Sequence, residues 1–96
     1  MDKKIVFPSS LRIIEREAFF HFIYLGEVVI SEGIEVIGEK AFEGCENLSH
    51  VRLPENVERI GKNSFAGCKK LIKVDNIESV KEIDYSAFEN CNMLTK

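Results

Sequence analysis

The chain has 96 residues, of which 45% are hydrophobic and 30% charged, and its formal net charge is -3. The composition can build a core, and the dispersed charges exclude a concentrated basic patch of the kind that follows nucleic-acid phosphates. The longest nearly uncharged stretch, residues 18–26, is far shorter than the ~20 apolar residues that span a membrane. We therefore expect one small domain over residues 1–96, without nucleic-acid binding or a membrane span.

A single motif recurs along the chain with a spacing of 23 residues. The phenylalanines that mark it are Phe19, Phe42, Phe65 and Phe88. The spacing divides the chain into units at about residues 5–27, 28–50, 51–73 and 74–96, and most aligned columns keep an apolar or small residue. A pattern that recurs at a fixed period is typical of a solenoid, in which stacked units bury one continuous core.

Each unit is expected to begin with a short strand. Apolar and polar residues alternate over Val51-Arg52-Leu53, which is the period-two pattern of a strand with one buried face. A second short strand is predicted at Val57-x-x-Ile60, before a glycine that permits a sharp turn. The first residue that points inward in the successive units is Ile5, Val28, Val51 or Val74.

One helical turn is expected after the second strand. The sequence Glu-Lys-Ala-Phe-Glu over residues 39–43 is followed by Gly44, at a position typical of a helix C-terminus. The residues in the same column as Gly44 are His21, Gly67 and Asn90. Asn and His tolerate positive φ better than most residues, so we predict a left-handed backbone at this column in every unit.

The columns resemble the BspA-type leucine-rich repeats of bacterial surface proteins. The pattern of that family is Leu-x-x-Ile-x-Ile-Pro, then Val-x-x-Ile-Gly, then Ala-Phe-x-x-Cys-x-x-Leu, and residues 48–54, 57–61 and 64–71 match it. The departures from it are Glu15, Phe22, Asn76, Ile77 and Asp84. The resemblance implies an α/β solenoid: a short right-handed leucine-rich-repeat superhelix of four units, with a parallel β-sheet on the concave face and a second short strand and a short helical turn in each unit.

The resemblance also implies a setting and a kind of partner. Family members are mostly exported and bind host or neighbouring-cell proteins, or serve as modules of adhesins, and they offer no catalytic residues to carry over. The N-terminal sequence is not a signal peptide, so the compartment stays open between cell surface, secretion and cytoplasm. Asp2 stands in a leucine column and the chain stops at Leu94-Thr95-Lys96 without a capping unit, so we expect a fragment of a longer array.

The sequence predicts no catalytic, cofactor or metal site. The cysteines, Cys45, Cys68 and Cys91, share one column and should stack ~5 Å apart. Such a straight column cannot offer zinc a tetrahedral set of ligands, and parallel Cβ vectors disfavour a disulfide, so small buried thiols are the preferred interpretation. His21 and His50 lie in different columns and no catalytic motif is present, so we predict that the chain is not an enzyme.

The outward columns change along the array. The two outward strand columns are Val6, Val29, Arg52 and Asp75, and Lys4, Glu27, His50, Lys73 and Lys96. The first of them changes from apolar to charged, and so does the column Ile13, Val36, Arg59 and Glu82. The first unit also carries Phe20, Ile23 and Tyr24 at positions that are mostly polar in later units. Two compatible interpretations stay open: these three residues and Phe22 cap the exposed Phe19 end, or an apolar patch binds a partner or a second copy.

The predicted function is protein binding, adhesion-like and non-catalytic, through the concave strand face. The candidate partner-binding residues are Val6, Val29, His50, Arg52, Lys73, Asp75, Phe20 and Tyr24. The alternative is a structural spacer or a self-associating module whose open ends, at Ile5 and Leu94, stack into a longer array or a homo-oligomer.

Overall fold

The chain forms four stacked coils, each with two short strands. The structure is a computed structural model that describes residues 3–94, so Asp2, Thr95 and Lys96, which entered the predictions above, lie outside it. The first strands of the coils form sheet A, in the order Lys3–Val6 (β1), Leu25–Val29 (β3), His50–Arg52 (β5) and Lys73–Asp75 (β7). The second strands form sheet B, in the order Ile13–Ile14 (β2), Val36–Ile37 (β4), Arg59–Ile60 (β6) and Glu82–Ile83 (β8).

Both sheets are parallel, and their register follows the sequence period. Val28 of β3 pairs with Val51 of β5, and Val51 pairs with Val74 of β7. In sheet B, Ile37 pairs with Ile60 in the same way. Each residue therefore lies beside its counterpart in the next coil, which confirms the predicted parallel solenoid of four turns.

The core is built from columns of identical residue types. The rings of Phe19, Phe42, Phe65 and Phe88 stack with centroid separations of 5.3, 5.1 and 5.2 Å and interplanar angles of 5° or less. Phe42 and Phe65, in the middle of the stack, are fully buried. Full burial of such a side chain contributes about 1.5–3 kcal/mol, so each coil depends on its neighbours for much of its stability.

The predicted helical turn over residues 39–43 is wrong. Within residues 3–94, the only helix is a 3-10 helix at Ile77–Ser79. The amides of Lys40, Phe42 and Gly44 donate instead to Lys62 O, Ser64 O and Ala66 O of the next coil, at 2.9, 2.7 and 2.8 Å. The amides between them close tight turns within the coil. The segment is a pair of linked turns. Alternate amides donate to the neighbouring coil, so they cannot form the hydrogen bonds of a helix.

The predicted left-handed column is confirmed in every coil. His21, Gly44, Gly67 and Asn90 have φ angles of 57°, 75°, 72° and 63°. A second left-handed column, which the sequence did not reveal, consists of Glu17, Lys40 and Asn63 with φ angles of 59°, 59° and 56°. In the first three coils, two left-handed residues reverse the chain within a few residues, and this explains further why no helix forms there.

The fourth coil differs from the inner coils at its departures from the repeat pattern. Asn76 has φ 64° and precedes the 3-10 helix, and its side-chain amide donates to Leu53 O at 2.8 Å. Asp84 stands in the glycine column and accepts hydrogen bonds from the amide and hydroxyl of Ser86. Ile83 is 39% exposed, whereas Ile37 and Ile60 in its column are fully buried. The last coil is therefore less enclosed than the inner coils.

Candidate protein-binding face

The outward face of sheet A brings six of the eight predicted residues together. The register pairs Val6 with Val29, Val29 with Arg52, and Arg52 with Asp75, which forms the first outward row. The second outward row is Lys4, Glu27, His50 and Lys73. Because alternate residues of a strand share a face, both rows lie on the same side of sheet A.

The apolar half of this face is open. Val6 is 64% exposed at the β1 edge, and Val29 beside it is half-buried. The rest of the first row is charged, with Arg52 exposed and Asp75 half-buried. The face therefore changes from apolar to charged between the second and third coils, as the sequence columns predict.

Ion pairs hold the charged half in place. Arg52 Nε donates to Glu27 Oε2 at 3.0 Å, and this hydrogen bond holds the pKa of Glu27 below its usual value. Across the strands, His50 Nε2 lies 3.1 Å from Asp75 Oδ2, and Lys73 Nζ lies 3.6 Å from Asp75 Oδ1. Desolvation acts to raise the pKa of Asp75, but the hydrogen bond and charge of His50 and the charge of Lys73 outweigh it and lower the pKa.

Phe20 and Tyr24 lie outside the strand rows. The Phe20 ring stacks on His21 with centroids 4.1 Å apart, and Tyr24 meets Phe22 edge-on at 6.1 Å. Phe20 and Tyr24 are 42% and 57% exposed. The structure thus separates these two candidates from the other six.

The Phe19 end of the core is partly covered by two aromatic rings. Phe22 lies 6.2 Å from Phe19 between centroids, and Phe7 contacts Phe19 edge-on at 5.7 Å. Ile23, a third member of the proposed cap besides Phe20 and Tyr24, is 44% exposed. Covering of Phe19 therefore falls to Phe22 and Phe7, and sequence reasoning did not assign Phe7 to it.

Sequence reasoning missed a cleft at the C-terminal ends of the sheet A strands. The cleft has a volume of about 490 Å³ and is lined in part by Val29, Arg52, Pro54 and Asn76. Its one sequence signal was Asn76, which replaces an apolar residue of the repeat pattern. The cleft adjoins the point where the first outward row becomes charged.

The three cysteines are free thiols, of which Cys45 and Cys68 are buried and Cys91 is partly exposed. The thiols of Cys45, Cys68 and Cys91 donate to the carbonyls of Phe19, Phe42 and Phe65 at 3.2, 3.3 and 3.0 Å. Burial raises the pKa of Cys45 to about 11. The hydrogen bond with Cys91 and burial raise that of Cys68. Each thiol therefore acts as a small hydrogen-bond donor between adjacent coils, and the side chains of residues 3–94 converge on no metal-binding group.

The stacked parallel coils and the leucine, phenylalanine and cysteine columns define a leucine-rich-repeat solenoid. The sequence profile of the family described as BspA type leucine rich repeat region matches residues 2–96, and the chain belongs to this family. This confirms the resemblance seen in the columns. A comparison with curated proteins found no match.

Solved bacterial structures share the fold. A leucine-rich repeat protein from Bacteroides ovatus is 36% identical over 95% of this chain, with a TM-score of 0.85. A leucine rich cell surface protein from Faecalibacterium prausnitzii is 28% identical over 98%, with a TM-score of 0.86. A leucine rich repeat protein from T. pallidum is 25% identical over 98%, with a TM-score of 0.61. The chain spans 23%, 29% and 57% of their respective lengths.

The helical content within residues 3–94 offers no candidate membrane span, because no helix there has the length and apolar character to cross a bilayer.

Proposed function

We propose that the chain is a non-catalytic protein-binding module that recognises a protein partner through the outward face of sheet A. The observation that carries the proposal is the composition of the first outward row, where the exposed Val6 and the half-buried Val29 adjoin the charged Arg52 and Asp75 in direct strand register. An apolar contact area bordered by polar groups that are already held in place is the usual composition of a protein interface.

The setting proposed for this binding is the bacterial cell surface. The resemblance to the BspA-type repeats implies a bacterial surface protein, and one similar structure is described as a cell surface protein. An adhesion-like role follows from that setting, with sheet A on the concave side of the solenoid. Localisation by surface labelling of cells that produce the full protein tests the setting separately from the binding.

A peptide library displayed on phage and selected on the immobilised chain tests the binding face. The variant for sheet A combines Val29→Ser with Arg52→Ala. The matched variant for sheet B combines Val36→Ser with Arg59→Ala, at the same positions of the corresponding row. Selected peptides should lose about tenfold or more of their affinity for the first variant, as expected for anchor residues, and bind the second like the parent. Peptides that bind both variants like the parent would contradict the proposal.

A second candidate function, stacking of copies end to end, is supported by the two ends of the solenoid. In the inner coils the amides of Phe65 and Gly67 donate to Ala87 O and Glu89 O of the next coil. The matching amides of Phe88 and Asn90 have no partner within residues 3–94, and neither do the matching acceptors at the other end, Ala18 O and Phe20 O. The two ends are therefore complementary in their backbone donors and acceptors. Contacts of this kind are heterologous and build open filaments.

The exposed apolar residues are concentrated at the same two ends. Large exposed hydrophobic side chains in the first and last coils are Val6, Ile13, Phe20, Ile23, Tyr24, Ile83, Tyr85 and Met93. The Tyr85 side chain is 97% exposed and lines a cavity of about 460 Å³ below Phe88. The second coil, residues 28–50, has no such residue.

Glu15 supplies the test of stacking. It stands in the glycine column, and a Cβ at Gly38 in that column would lie 2.7 Å from Ile14 O of the preceding coil. Glu15→Gly should therefore strengthen association, and sedimentation should show a larger mass at equal concentration. A parent and a Glu15→Gly variant that both stay monomeric at millimolar concentration would contradict end-to-end stacking.

A further inference from the structure

We propose that Arg52 binds a carboxylate of the protein partner while an apolar side chain of the same partner packs on Val29 and Val6. This inference rests on the proposed function of sheet A and specifies the chemistry of the partner: an acidic residue close to an apolar one in an extended segment.

The guanidinium of Arg52 is oriented from one side only. Its Nε donates to Glu27 Oε2 at 3.0 Å, and the Arg52 side chain stays 55% exposed. No hydrogen bond within residues 3–94 engages its two terminal nitrogens. A guanidinium has five N–H donors in one plane, so fixing the Nε–H leaves the edge formed by the terminal nitrogens directed away from Glu27. That edge matches the two oxygens of a carboxylate in a bidentate pair.

The carboxylates of the face itself do not occupy this edge. Asp75 pairs with Arg52 in the strand register, but its oxygens face His50 at 3.1 Å and Lys73 at 3.6 Å. Glu27 already accepts from Arg52 Nε and lies 4.0 Å from His50 Nδ1. The second edge of the guanidinium is therefore left for an acceptor from outside the described chain.

The apolar neighbours of Arg52 determine the second feature of the partner, which is an apolar side chain close to the carboxylate. Val29 lies beside Arg52 in the register and Val6 lies beside Val29, at strand separations of ~4.8 Å. Residues i and i+2 of an extended segment are ~6.7 Å apart on one face. An extended partner that crosses the strands of sheet A can therefore place an apolar side chain over Val29 and a carboxylate at Arg52.

Sheet B provides an internal control. Its outward row, Ile13, Val36, Arg59 and Glu82, has the same order of apolar, apolar, arginine and acid. Within residues 3–94, however, Arg59 makes no side-chain ion pair or hydrogen bond. Its guanidinium is not oriented, so ordering it would oppose binding of a carboxylate there.

The test is an NMR titration of the labelled chain with two synthetic peptides. One is acetyl-Thr-Leu-Thr-Asp-Thr-amide, and the other has Asn in place of Asp. At about 5 mM peptide, enough to populate a complex with a millimolar Kd, the Asp peptide should shift the Arg52 Nε–H and Val29 methyl signals in a saturable way. The Asn peptide should bind at least about fivefold more weakly than the Asp peptide, because it forms no charge-assisted pair.

Variants separate orientation from charge. Arg52→Lys keeps the positive charge but removes the planar guanidinium that forms a bidentate pair. It should weaken the affinity for the Asp peptide about fivefold. Arg59→Lys, the matched change on sheet B, should leave the titration unchanged.

The outcomes distinguish this inference from the proposed function. Equal shifts with the Asp and Asn peptides on sheet A would overturn the carboxylate site and leave the face as a binding surface. A titration in which neither peptide shifts Arg52 or Val29 at about 5 mM also overturns the carboxylate site. The proposed function is then tested separately by the peptide library and its paired variants.

Discussion

Truncation of Phe65 to alanine should remove a third or more of the free energy of unfolding of the chain. Phe65 is fully buried between Phe42 and Phe88, at centroid distances of 5.1 and 5.2 Å. Core Phe→Ala changes cost about 3–5 kcal/mol, and the loss of two stacked pairs places this one near the upper end, at about 5 kcal/mol. The whole free energy of unfolding of a domain of this size is about 5–15 kcal/mol.

Phe88→Ala is the matched control within the same column. Phe88 is half-buried and stacks on one neighbour only, because no coil follows it within the described chain. With about half the buried area and one aromatic pair, its loss should cost about 2 kcal/mol.

Guanidinium unfolding, followed by circular dichroism, measures both variants against the parent. The midpoints should fall in the order parent, Phe88→Ala, Phe65→Ala, while the slope of the transition stays constant if unfolding remains a single step. Equal losses for the two variants, or a loss below about 1 kcal/mol for Phe65→Ala, would refute the idea that the coils share one continuous core.

Three further predictions concern the turns, the thiols and the ion pairs. Gly44→Ala should destabilise the chain by at least about 2 kcal/mol in thermal unfolding, because the left-handed backbone at φ 75° disfavours a Cβ and this Cβ would collide with the His21 ring of the preceding coil. Gly67→Ala should cost only about 1 kcal/mol, because the nearest atom to its Cβ is 3.8 Å away. A thiol reagent at about pH 8 should label Cys91, which is partly exposed, and spare Cys45, whose pKa is raised to about 11 by burial; labelling of both at equal rates would contradict the packing. The folded pKa of Glu27 lies below its usual 4.5, so its stabilising effect is complete above that pH and is lost as the pH falls through the lower folded value. Glu27→Gln should therefore lower the thermal midpoint slightly near neutrality, and the difference from the parent should shrink as the pH falls through that acid range.

The architecture was predictable because one geometric rule repeats along the chain. All paired strand residues except Lys3 pair with the residue 23 positions on, so a column of like side chains in the sequence becomes a column of like side chains in space. The strand starts, the phenylalanine stack and the left-handed positions at His21 and Asn90 all follow from that rule. The extent of the domain beyond this stack stays a prediction.

The failed helical turn shows where local sequence preference is overruled. Residues 39–43 have helix-forming side chains, yet the amide of Phe42 gains more by donating to Ser64 O of the next coil at 2.7 Å. That partner is 22 residues away and does not enter a local pattern. The left-handed Lys40 has the same origin, and Asn63 is the only member of its column of a residue type that favours a left-handed backbone.

The candidate face was predictable as rows but not as a network. Alternation places Arg52 and His50 on the outer side of β5, and the period places Val29 beside Arg52. The sequence does not say which carboxylate each cation chooses. His50, for example, lies 3.1 Å from Asp75 and 4.0 Å from Glu27, and only side-chain conformations decide between them.

The uniform offset between paired residues has an evolutionary consequence. Deleting or duplicating one whole unit should leave the hydrogen-bonding scheme and the core columns intact, since each coil meets a neighbour of the same design. The outer rows would change in order, however. Excision of residues 28–50 would bring Val6 directly beside Arg52, and an added unit would separate them further. Recombination between units can therefore recompose the binding face of such a protein without redesigning its interior.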